Sequence, residues 1–395
     1  MKILVCNVGS TSLKYQLFKF SDTERVLSSG LAERVGTAQS RFSAKNRVTS
    51  EEFEEQCVFP THREAIMRML EQLKKDGLRD LSELSCIGFK VVHARGVSGV
   101  QYLTDDVLQK MEAFNAVAPA HNPPYLAAIR QFRALVPGVP LIGAFETAFH
   151  QTMPPEASLY SIPIEISKKY DIHRYGFHGA SHEYMSSWVA DVLDCKHPRI
   201  ISCHLGGSGS ICAVKDGKSI DTSMGISLQC GVMNNNRCGD IDPYIIFYLA
   251  EEAGMSLAEI KTMLQTKSGF YGMSGGVSND LRDVILAAEQ GDENCVNAVK
   301  SYAYSIKKYV GAYAAAMGGL DAIVFGGGIG RKSAEVRALA LSGLAFLGVE
   351  LDGEKNRHAV SGMDISMQTA PVRVIVLDTN EELIVARKAK ALLEQ

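Results

Sequence analysis

The chain has 395 residues, which is long enough for two domains with complete hydrophobic cores. Its 46% hydrophobic and 22% charged residues are typical of a soluble globular protein, and its net charge of −3 argues against a surface that binds nucleic acid by neutralising phosphates. The nine cysteines are scattered and odd in number, which favours reduced thiols over a disulfide framework or a zinc site. No apolar run is long enough to span a bilayer, so we expect a cytoplasmic protein with neither a signal peptide nor a membrane segment.

The first segment of interest is a strand-like pair at the beginning of the chain. An apolar run at residues 3–6 leads into the turn Gly9-Ser10-Thr11-Ser12, and residues 15–18 lead out of it with alternating polarity. This pattern predicts a strand, a tight turn and a second strand. Backbone N–H groups of such a turn can converge on a phosphate, and Lys14 adds a positive charge. An ordinary hairpin would use the same residues.

A second copy of this unit lies half a chain away. Gly207-Ser208-Gly209-Ser210 aligns with the first turn at an offset of 198 residues and is also flanked by strand-like runs. A unit repeated at this distance predicts two duplicated domains that face each other across a cleft, each contributing a hairpin that holds phosphate. This is the layout of the superfamily of actin, sugar kinases and heat-shock ATPases.

The rest of the first half alternates between helices and buried strands. Ile66, Met67, Leu70 and Leu73 recur at helical spacing and predict an amphipathic helix over residues 61–76. Buried strands are predicted over 86–93 and 139–145, each followed or ended by polar and charged residues.

The second half contains a long loop and a glycine turn. Residues 221–243 are rich in glycine and asparagine, and loops of this length inside a compact domain are usually functional. The pattern then predicts a helix over 296–317, a strand over 322–325, a glycine turn at 326–330 before another helix, a strand over 372–377, and a terminal helix over 381–394 capped by Asp378 or Thr379.

Seven segments resemble the acetate kinase family of short-chain carboxylate kinases. They occur in that family's order along essentially the whole chain, at residues 7–14, 148–154, 174–182, 221–225, 239–243, 328–330 and 379–383. The resemblance implies an α/β fold of two duplicated actin-like (ribonuclease H-like) domains, with mixed sheets flanked by helices around a nucleotide cleft. It also implies Mg²⁺-dependent, reversible transfer of the ATP γ-phosphoryl group to acetate or propionate in a homodimer, with Mn²⁺ as an alternative metal ion.

The resemblance assigns domains and sites by position. The N-terminal domain, with substrate-side residues, is expected at 1–148 plus 384–395, and the C-terminal domain, with nucleotide-binding and dimerisation elements, at 149–383. The implied catalytic residues are Lys90, Glu146, His178 and Arg237. The implied substrate-binding residues are Lys90, Val92, Ala120, Phe177 and Leu228, and the implied metal ligands are Asn7 and Glu381.

The implied nucleotide and phosphate contacts lie in four stretches. They are Asn7, Ser10, Ser12 and Lys14; His204, Gly206, Gly207, Ser208 and Gly209; Asp280, Leu281 and Arg282; and Gly326, Gly327, Gly328, Ile329 and Gly330. His121 and His182 match neighbouring family histidines, for which a structural role is an equal alternative. Glu381 also suits the first turn of a helix for purely electrostatic reasons.

This chain departs from the family pattern at several of these positions. Lys90 replaces an arginine, which keeps the charge but loses the bidentate fork, and Arg95 is an alternative partner for the substrate. Glu146 replaces an aspartate and Gly207 an asparagine. Ala120 and Leu228 replace a leucine and a proline, and Arg331-Lys332 replaces a Glu-Asn pair.

Two alternatives to an acetate kinase stay open on the sequence. Ala120, Lys90 and Glu146 are compatible with a kinase for a longer or substituted carboxylate. One methylene changes discrimination by only ~10–200-fold, so the sequence does not separate acetate from propionate. A non-catalytic ATP-binding sensor is the alternative from a different class. The joint presence of His178, Arg237 and Glu381 argues against such a sensor.

Overall fold

A computed structural model describes residues 1–119 and 121–395. The strands are β1 (Lys2–Gly9), β2 (Ser12–Phe20), β3 (Glu24–Glu33), β4 (Ser40–Asn46), β5 (Glu52–Cys57), β6 (Cys86–Val91), β7 (Val100–Tyr102), β8 (Leu141–Phe145), β9 (Arg199–Leu205), β10 (Gly209–Lys215), β11 (Lys218–Thr222), β12 (Ala322–Gly326), β13 (Met363–Asp364) and β14 (Arg373–Val376).

The α-helices are α1 (His62–Lys75), α2 (Asp105–Glu112), α3 (Asn122–Leu135), α4 (Pro155–Ser158), α5 (Ile164–Tyr170), α6 (Gly179–Leu193), α7 (Tyr244–Glu252), α8 (Leu257–Thr266), α9 (Gly269–Met273), α10 (Leu281–Glu289), α11 (Glu293–Met317), α12 (Gly327–Lys332), α13 (Ala334–Leu341), α14 (Gly353–Arg357) and α15 (Glu381–Leu393). Short 3₁₀ turns lie at Leu81–Glu83, Ala148–Thr152 and Ala345–Leu347.

The chain divides into two compact units. The first contains Met1–Ala148 and Asn380–Gln395, and the second contains Phe149–Thr379. Each unit has its own mixed sheet and its own hydrophobic core.

The sheet of the first unit has eight strands in the order β5-β4-β3-β2-β1-β6-β8-β7. The strands from β5 to β1 pair antiparallel, whereas β1, β6 and β8 run parallel, and β7 closes the edge antiparallel to β8. Helix α15 packs on β1, β6 and β8, and its Val385, Ala386 and Ala389 join the core formed with Ile3 and Val5.

The sheet of the second unit repeats this arrangement. Its order is β11-β10-β9-β12-β14-β13, in which β11, β10 and β9 pair antiparallel, β9, β12 and β14 run parallel, and β13 is antiparallel to β14. The two predicted hairpins, β1–β2 and β9–β10, therefore occupy equivalent places in the two sheets. This confirms the duplicated fold expected from the repeat.

Several sequence expectations are confirmed and three need correction. The first predicted helix is present as α1, and Thr61 caps it in a capping box with Glu64. Met67, however, lies on its solvent side, and Met69 takes the inward position. The glycine run is not a turn: β12 ends at Gly326 and α12 begins at Gly327. Helix α15 is capped by the side chain of Asn380, not by Asp378 or Thr379.

Within the described ranges, none of the helices, including the 25-residue α11, combines the length and apolarity needed to cross a bilayer.

Candidate active site

In the first unit, one lysine lies between two carboxylates. Lys90 Nζ is 2.7 Å from Glu381 Oε2 and 3.1 Å from Glu146 Oε1, and all three side chains are mostly buried. Lys90 lies on β6, Glu146 directly follows the parallel strand β8, and Glu381 is the first residue of α15. The backbone N–H of Glu146 donates to Val91 O at 2.8 Å, which holds the end of β8 beside β6.

This group of three side chains has an excess of negative charge. Burial by itself lowers the pKa of Lys90, but the charges of Glu146 and Glu381 outweigh it, so the pKa lies well above the ordinary 10.5. The lysine therefore remains an ammonium ion, and the three groups together carry one net negative charge. The N-terminus of α15 compensates part of that charge at Glu381. Such a group of oxygen atoms can attract a further cation.

The first hairpin carries its predicted polar residues close to this group of charges in the same unit. Asn7 and Lys14 are cross-strand partners, so their side chains leave the same face of the sheet. Lys14 Nζ pairs with Glu382 Oε1 at 2.8 Å. Ser10 is the first residue of the two-residue turn between β1 and β2, and Ser12 directly follows that turn as the first residue of β2. The sequence did not single out two further residues here: the His62 ring, 2.9 Å from Gly9 O, and Tyr125, whose hydroxyl contacts Asn7.

The residues predicted to form the apolar pocket are divided between the units. Val92 is buried in the first unit, and Phe177 and Leu228 are buried in the second. Ala120 lies outside the described residues.

In the second unit, histidines and serines form a hydrogen-bonded row between α6 and the sheet. Ser202 and His204 lie on one face of β9, and Ser210 lies opposite His204 on the same face. Because α6 packs on β9, its first residues meet this face. His178 Nδ1 and His182 Nε2 lie 2.8 and 2.7 Å from Ser210 Oγ.

The hydroxyl group of Ser210 contacts two of these rings, those of His178 and His182. Ser210 has a single proton, so it can donate to only one of the two imidazole nitrogens at hydrogen-bonding distance and must accept from at least one ring. The tautomers of His178 and His182 are therefore linked. His178 also stacks on His204 with ring centroids 4.4 Å apart, and it adopts a left-handed backbone with φ of 58°. Backbone strain of this kind clusters at functional sites.

The long predicted loop carries Arg237, and two of its residues on either side of this arginine are held together. The N–H of Gly231 donates to Asp240 Oδ1 at 2.8 Å, and the N–H of Asp240 donates to Gly231 O at 2.9 Å. Tyr309 Oη of α11 donates to the other carboxylate oxygen of Asp240. Arg237 Nη1 in turn donates to Ser208 Oγ at 3.2 Å, which places the guanidinium at the second hairpin turn.

A cavity of about 650 Å³ lies beside this turn, entirely within the second unit. Its lining includes seven of the predicted nucleotide residues, namely Gly206, Gly207, Asp280, Leu281, Arg282, Gly328 and Ile329. The lining also includes Lys332, which the sequence indicated as a positive charge near the nucleotide, and it adds residues that the sequence did not indicate, namely Asn235, Ile285, Ser333, Ala334 and Glu335. The predicted contacts His204, Ser208, Gly209, Gly326, Gly327 and Gly330 do not line this cavity.

The glycines near the cavity lack a side chain for different structural reasons. A Cβ atom at Gly328 would meet nothing within 4 Å, so this glycine leaves open space. At Gly326 a Cβ would lie 2.2 Å from Met185 Sδ, and at Gly327, with φ of 73°, it would lie 2.5 Å from Leu205 O. Protein packing therefore explains these two positions. At Gly207 an added Cβ would meet Asn235 Nδ2 at 3.1 Å, so Asn235 covers the glycine at which the family has an asparagine.

Two arginine contacts fix the walls of the cavity. Arg282 pairs with Asp280, and the hydrogen bonds from Arg282 lower the pKa of this aspartate to about 2. The buried Arg337 donates to the carbonyl oxygens of Gly330 and Arg331 at 2.8 and 3.1 Å and so stabilises the end of α12. Burial, with a smaller effect of Arg331, lowers the pKa of Arg337 to about 10.

Duplicated actin-like sheets, with a nucleotide-sized cavity beside a glycine hairpin and an arginine loop, define a phosphotransferase. The family model of the acetokinase family matches residues 2–387, and the chain belongs to this family, whose members are carboxyl-group phosphotransferases.

Individual relatives agree with this assignment along their whole length. An acetate kinase of Thermosipho melanesiensis is 44% identical over 402 aligned residues, covering 100% of this chain and 98% of that protein. The crystal structure of Porphyromonas gingivalis acetate kinase is 36% identical, covers 99% of both chains and has a TM-score of 0.87. A propionate kinase from Francisella tularensis is also 36% identical, covers 98% of both chains and has a TM-score of 0.88.

The buried His182 gives the second unit a testable pH dependence. Burial, and then the neighbouring His150, His204 and His178, lower its pKa well below 6.5. The unfolded chain therefore takes up a proton below about pH 6.5 that the folded chain refuses, so the free energy of unfolding should fall as the pH drops, by up to about 1.4 kcal/mol per pH unit for this group. Urea denaturation between about pH 5 and pH 7.5 measures this slope.

In His182→Gln, the slope below about pH 6.5 should be smaller by that amount. The matched control is His358→Gln, which removes an exposed histidine from the same unit and so measures the effect of the substitution away from the buried row. An unchanged slope in His182→Gln would contradict the assignment of the acid sensitivity to this histidine.

Proposed function

We propose that the protein is a Mg²⁺-dependent kinase that transfers the γ-phosphoryl group of ATP to acetate or propionate. In the forward reaction a carboxylate oxygen forms a bond to the γ-phosphorus while the bond from that phosphorus to the ADP oxygen breaks, and the reaction is reversible. The observation that carries the proposal is the nucleotide-sized cavity that ends at Gly206 and Gly207, next to the turn whose Ser208 holds Arg237. The titles of the neighbours, which name both acetate and propionate kinases, support the choice of acids.

In this proposal the second unit stabilises the phosphoryl group during transfer. Phosphoryl transfer depends mainly on positioning and on neutralising the oxygen atoms in flight. The planar guanidinium of Arg237 suits both a carboxylate and a phosphoryl group. The His178 ring is oriented by Ser210 and acts as a hydrogen-bond donor to the same group. The cavity walls around Leu281 and Ile329 hold the adenosine.

The first unit supplies charges for the acid and the metal ion. Lys90 is the proposed contact of the substrate carboxylate, because an ammonium group has a third N–H donor besides those directed at Glu146 and Glu381. Val92, Phe177 and Leu228 are the proposed apolar contacts of the alkyl group. We further propose that the two compact units act as the substrate-side and nucleotide-side domains.

The donor set fits a hard cation such as Mg²⁺, with Mn²⁺ as the alternative. Glu381 and Glu146 offer oxygen ligands in a unit with an excess negative charge, whereas the side-chain oxygen of Asn7 accepts the hydrogen bond from Tyr125. The described residues contain no group of three His, Cys, Asp or Glu side chains able to hold a metal ion. This agrees with Mg²⁺, which usually keeps several waters and is bound by one or two carboxylates together with the substrate phosphates. When bound, the ion neutralises phosphate oxygens.

We also propose a homodimer in the cytoplasm. Helix α7 has no buried residue and exposes Tyr244, Ile245, Phe247 and Tyr248, an apolar surface of the kind that an identical subunit covers. All nine cysteines are free thiols, which suits a reducing compartment.

The first experiment measures acyl phosphate formation, trapped as hydroxamate, from MgATP and a panel of formate, acetate, propionate, butyrate and hydroxy acids. Wild type should prefer acetate or propionate. Arg237→Ala should reduce the rate by about 1,000-fold or more and leave nucleotide binding intact, because the arginine acts mainly in the transition state. The control Arg357→Ala removes an exposed arginine paired with Glu354 and should behave as wild type. Normal turnover in Arg237→Ala would refute the assignment.

The metal proposal predicts a defect in Glu381→Gln. This substitution removes the carboxylate charge at the proposed site, so the Mg²⁺ concentration for half-maximal activity should rise about tenfold or more. Calorimetric titration of MgADP gives a second readout that does not depend on turnover. Glu394→Gln, at the exposed far end of the same helix, is the control. Equal Mg²⁺ dependence in Glu381→Gln and wild type would rule out Glu381 as a ligand.

The dimer proposal is tested by sedimentation velocity over a range of concentrations. Wild type should sediment as twice the 42.9 kDa chain, and Phe247→Glu should shift it towards the monomer because a charge would be buried in the interface. Phe346→Glu, which changes an exposed apolar residue outside α7, should leave the dimer intact. A dimer that withstands Phe247→Glu would place the interface elsewhere.

A further inference from the structure

Tyr125 connects the beginning of α3 to the first hairpin of the same unit. Its hydroxyl donates to Asn7 Oδ1 at 2.8 Å and accepts the backbone N–H of Val8 at 3.2 Å. The side chain is 2% exposed, so these contacts are sheltered from solvent. None of the motifs in the sequence assigns a role to this tyrosine.

The position of Val8 explains why its backbone N–H needs a side chain as its hydrogen-bond acceptor. Strand β1 pairs with β6 only from Ile3 to Cys6, so the edge of β1 that faces β6 loses its strand partner before Val8. A buried N–H without an acceptor is costly. The Tyr125 hydroxyl supplies that acceptor just past the last residue pair of the ladder.

The second hydrogen bond then fixes the amide of Asn7. A tyrosine hydroxyl has one proton, and the Val8 N–H already points at its oxygen, so the proton is directed at Asn7 Oδ1. The NH₂ group of Asn7 must therefore point away from Tyr125. Phosphate oxygens are acceptors only, so an asparagine held with its NH₂ outward is arranged to donate to phosphate.

The surroundings place this arrangement close to the proposed site. The Tyr125 hydroxyl experiences the charges of Lys90, Glu146 and Glu381. It therefore lies within the electrostatic reach of the three side chains to which the metal ion and the acid are assigned above.

We propose that Tyr125 is a positioning residue that holds the Asn7 amide with its NH₂ group directed at a phosphate oxygen of the nucleotide or acyl phosphate. This proposal deepens the proposed function and rests on it for the identity of the phosphate. It gives Asn7 the role of a phosphate donor whose orientation is set by a side chain 118 residues away in sequence.

A double-mutant cycle tests the proposal with Tyr125→Phe, Asn7→Ala and the double variant. Tyr125→Phe should lower kcat/KM for MgATP about tenfold and weaken binding of a non-hydrolysable ATP analogue by a similar factor, since one hydrogen bond is worth roughly that much. Asn7→Ala should be at least as defective. If Tyr125 acts through Asn7, the double variant should match Asn7→Ala, whereas a merely structural tyrosine would add its own loss.

The control is Tyr15→Phe. This tyrosine lies in the same unit and is fully buried, but its hydroxyl is on the side of Ser28 and Asp76 and not at Asn7 or Val8, so kinetics should not change. Near-UV circular dichroism confirms that each variant is folded. If Tyr125→Phe does not fold, Asn7→Ser replaces it, because it removes the amide and leaves the tyrosine bonded to Val8. Unchanged analogue binding in Asn7→Ser would then overturn the proposal.

The outcomes separate this proposal from the proposed function. Wild-type kinetics in Tyr125→Phe, or fully additive losses in the double variant, would overturn the role of Tyr125. If wild type forms no acyl phosphate from any acid of the panel, the proposed function fails. The cycle measured by analogue binding would still report whether Tyr125 orients Asn7.

Discussion

The buried contact of Lys90 with Glu146 and Glu381 is the constraint on which the first unit depends. It joins strand β6, the end of the neighbouring parallel strand β8 and the first turn of helix α15. Breaking a buried ion pair by removing one partner usually costs about 3–5 kcal/mol, because the remaining charge stays buried without compensation. The three residues are therefore held in place by one another, and the segment from Asn380 to Gln395 returns to this unit instead of extending the second. The charges to which the chemistry is assigned under the proposed function and the contact that connects these elements are therefore the same groups.

In the second unit, neutral groups instead of charged ones connect the first helix turn to the sheet. Its row of histidines is buried, and burial disfavours the charged form of His182, so serine hydroxyls supply the hydrogen bonds in place of carboxylates. A hydroxyl can reverse its donor and acceptor roles without leaving a charge behind. Ser210 can donate to His178 or to His182 but not to both, so the tautomers of the two rings are linked. Arg237 adds a positive charge at the second hairpin turn, on a loop closed by the contacts between Asp240 and Gly231.

Sequence reasoning predicts the local features of this structure well and its tertiary contacts poorly. The hairpins, the capping box at Thr61 and the long loop around Arg237 depend on neighbouring residues, so their patterns are visible in the chain. The positions of Tyr125 and Asn235 depend on contacts between distant segments, and neither residue belongs to a recognisable motif. Gly326 and Gly327 illustrate the limit: a nucleotide explains the glycine run in sequence, yet the atoms that exclude a side chain there belong to Met185 and Leu205.

The two charged departures from the family pattern are best understood as one contact. Taken separately, Lys90 loses the second arm of an arginine and Glu146 moves its carboxylate outward by one methylene, so each change by itself appears to weaken the site. The structure brings the two side chains to 3.1 Å, which shows that the longer acid reaches the more compact base. Since lysine directs separate N–H groups at separate acceptors, it can hold Glu146 and Glu381 together, whereas the planar fork of an arginine favours a single carboxylate. The pair of residues thus keeps a buried charge contact between β6 and the end of β8, and under the proposed function it would change the geometry in which the positive charge meets the substrate carboxylate.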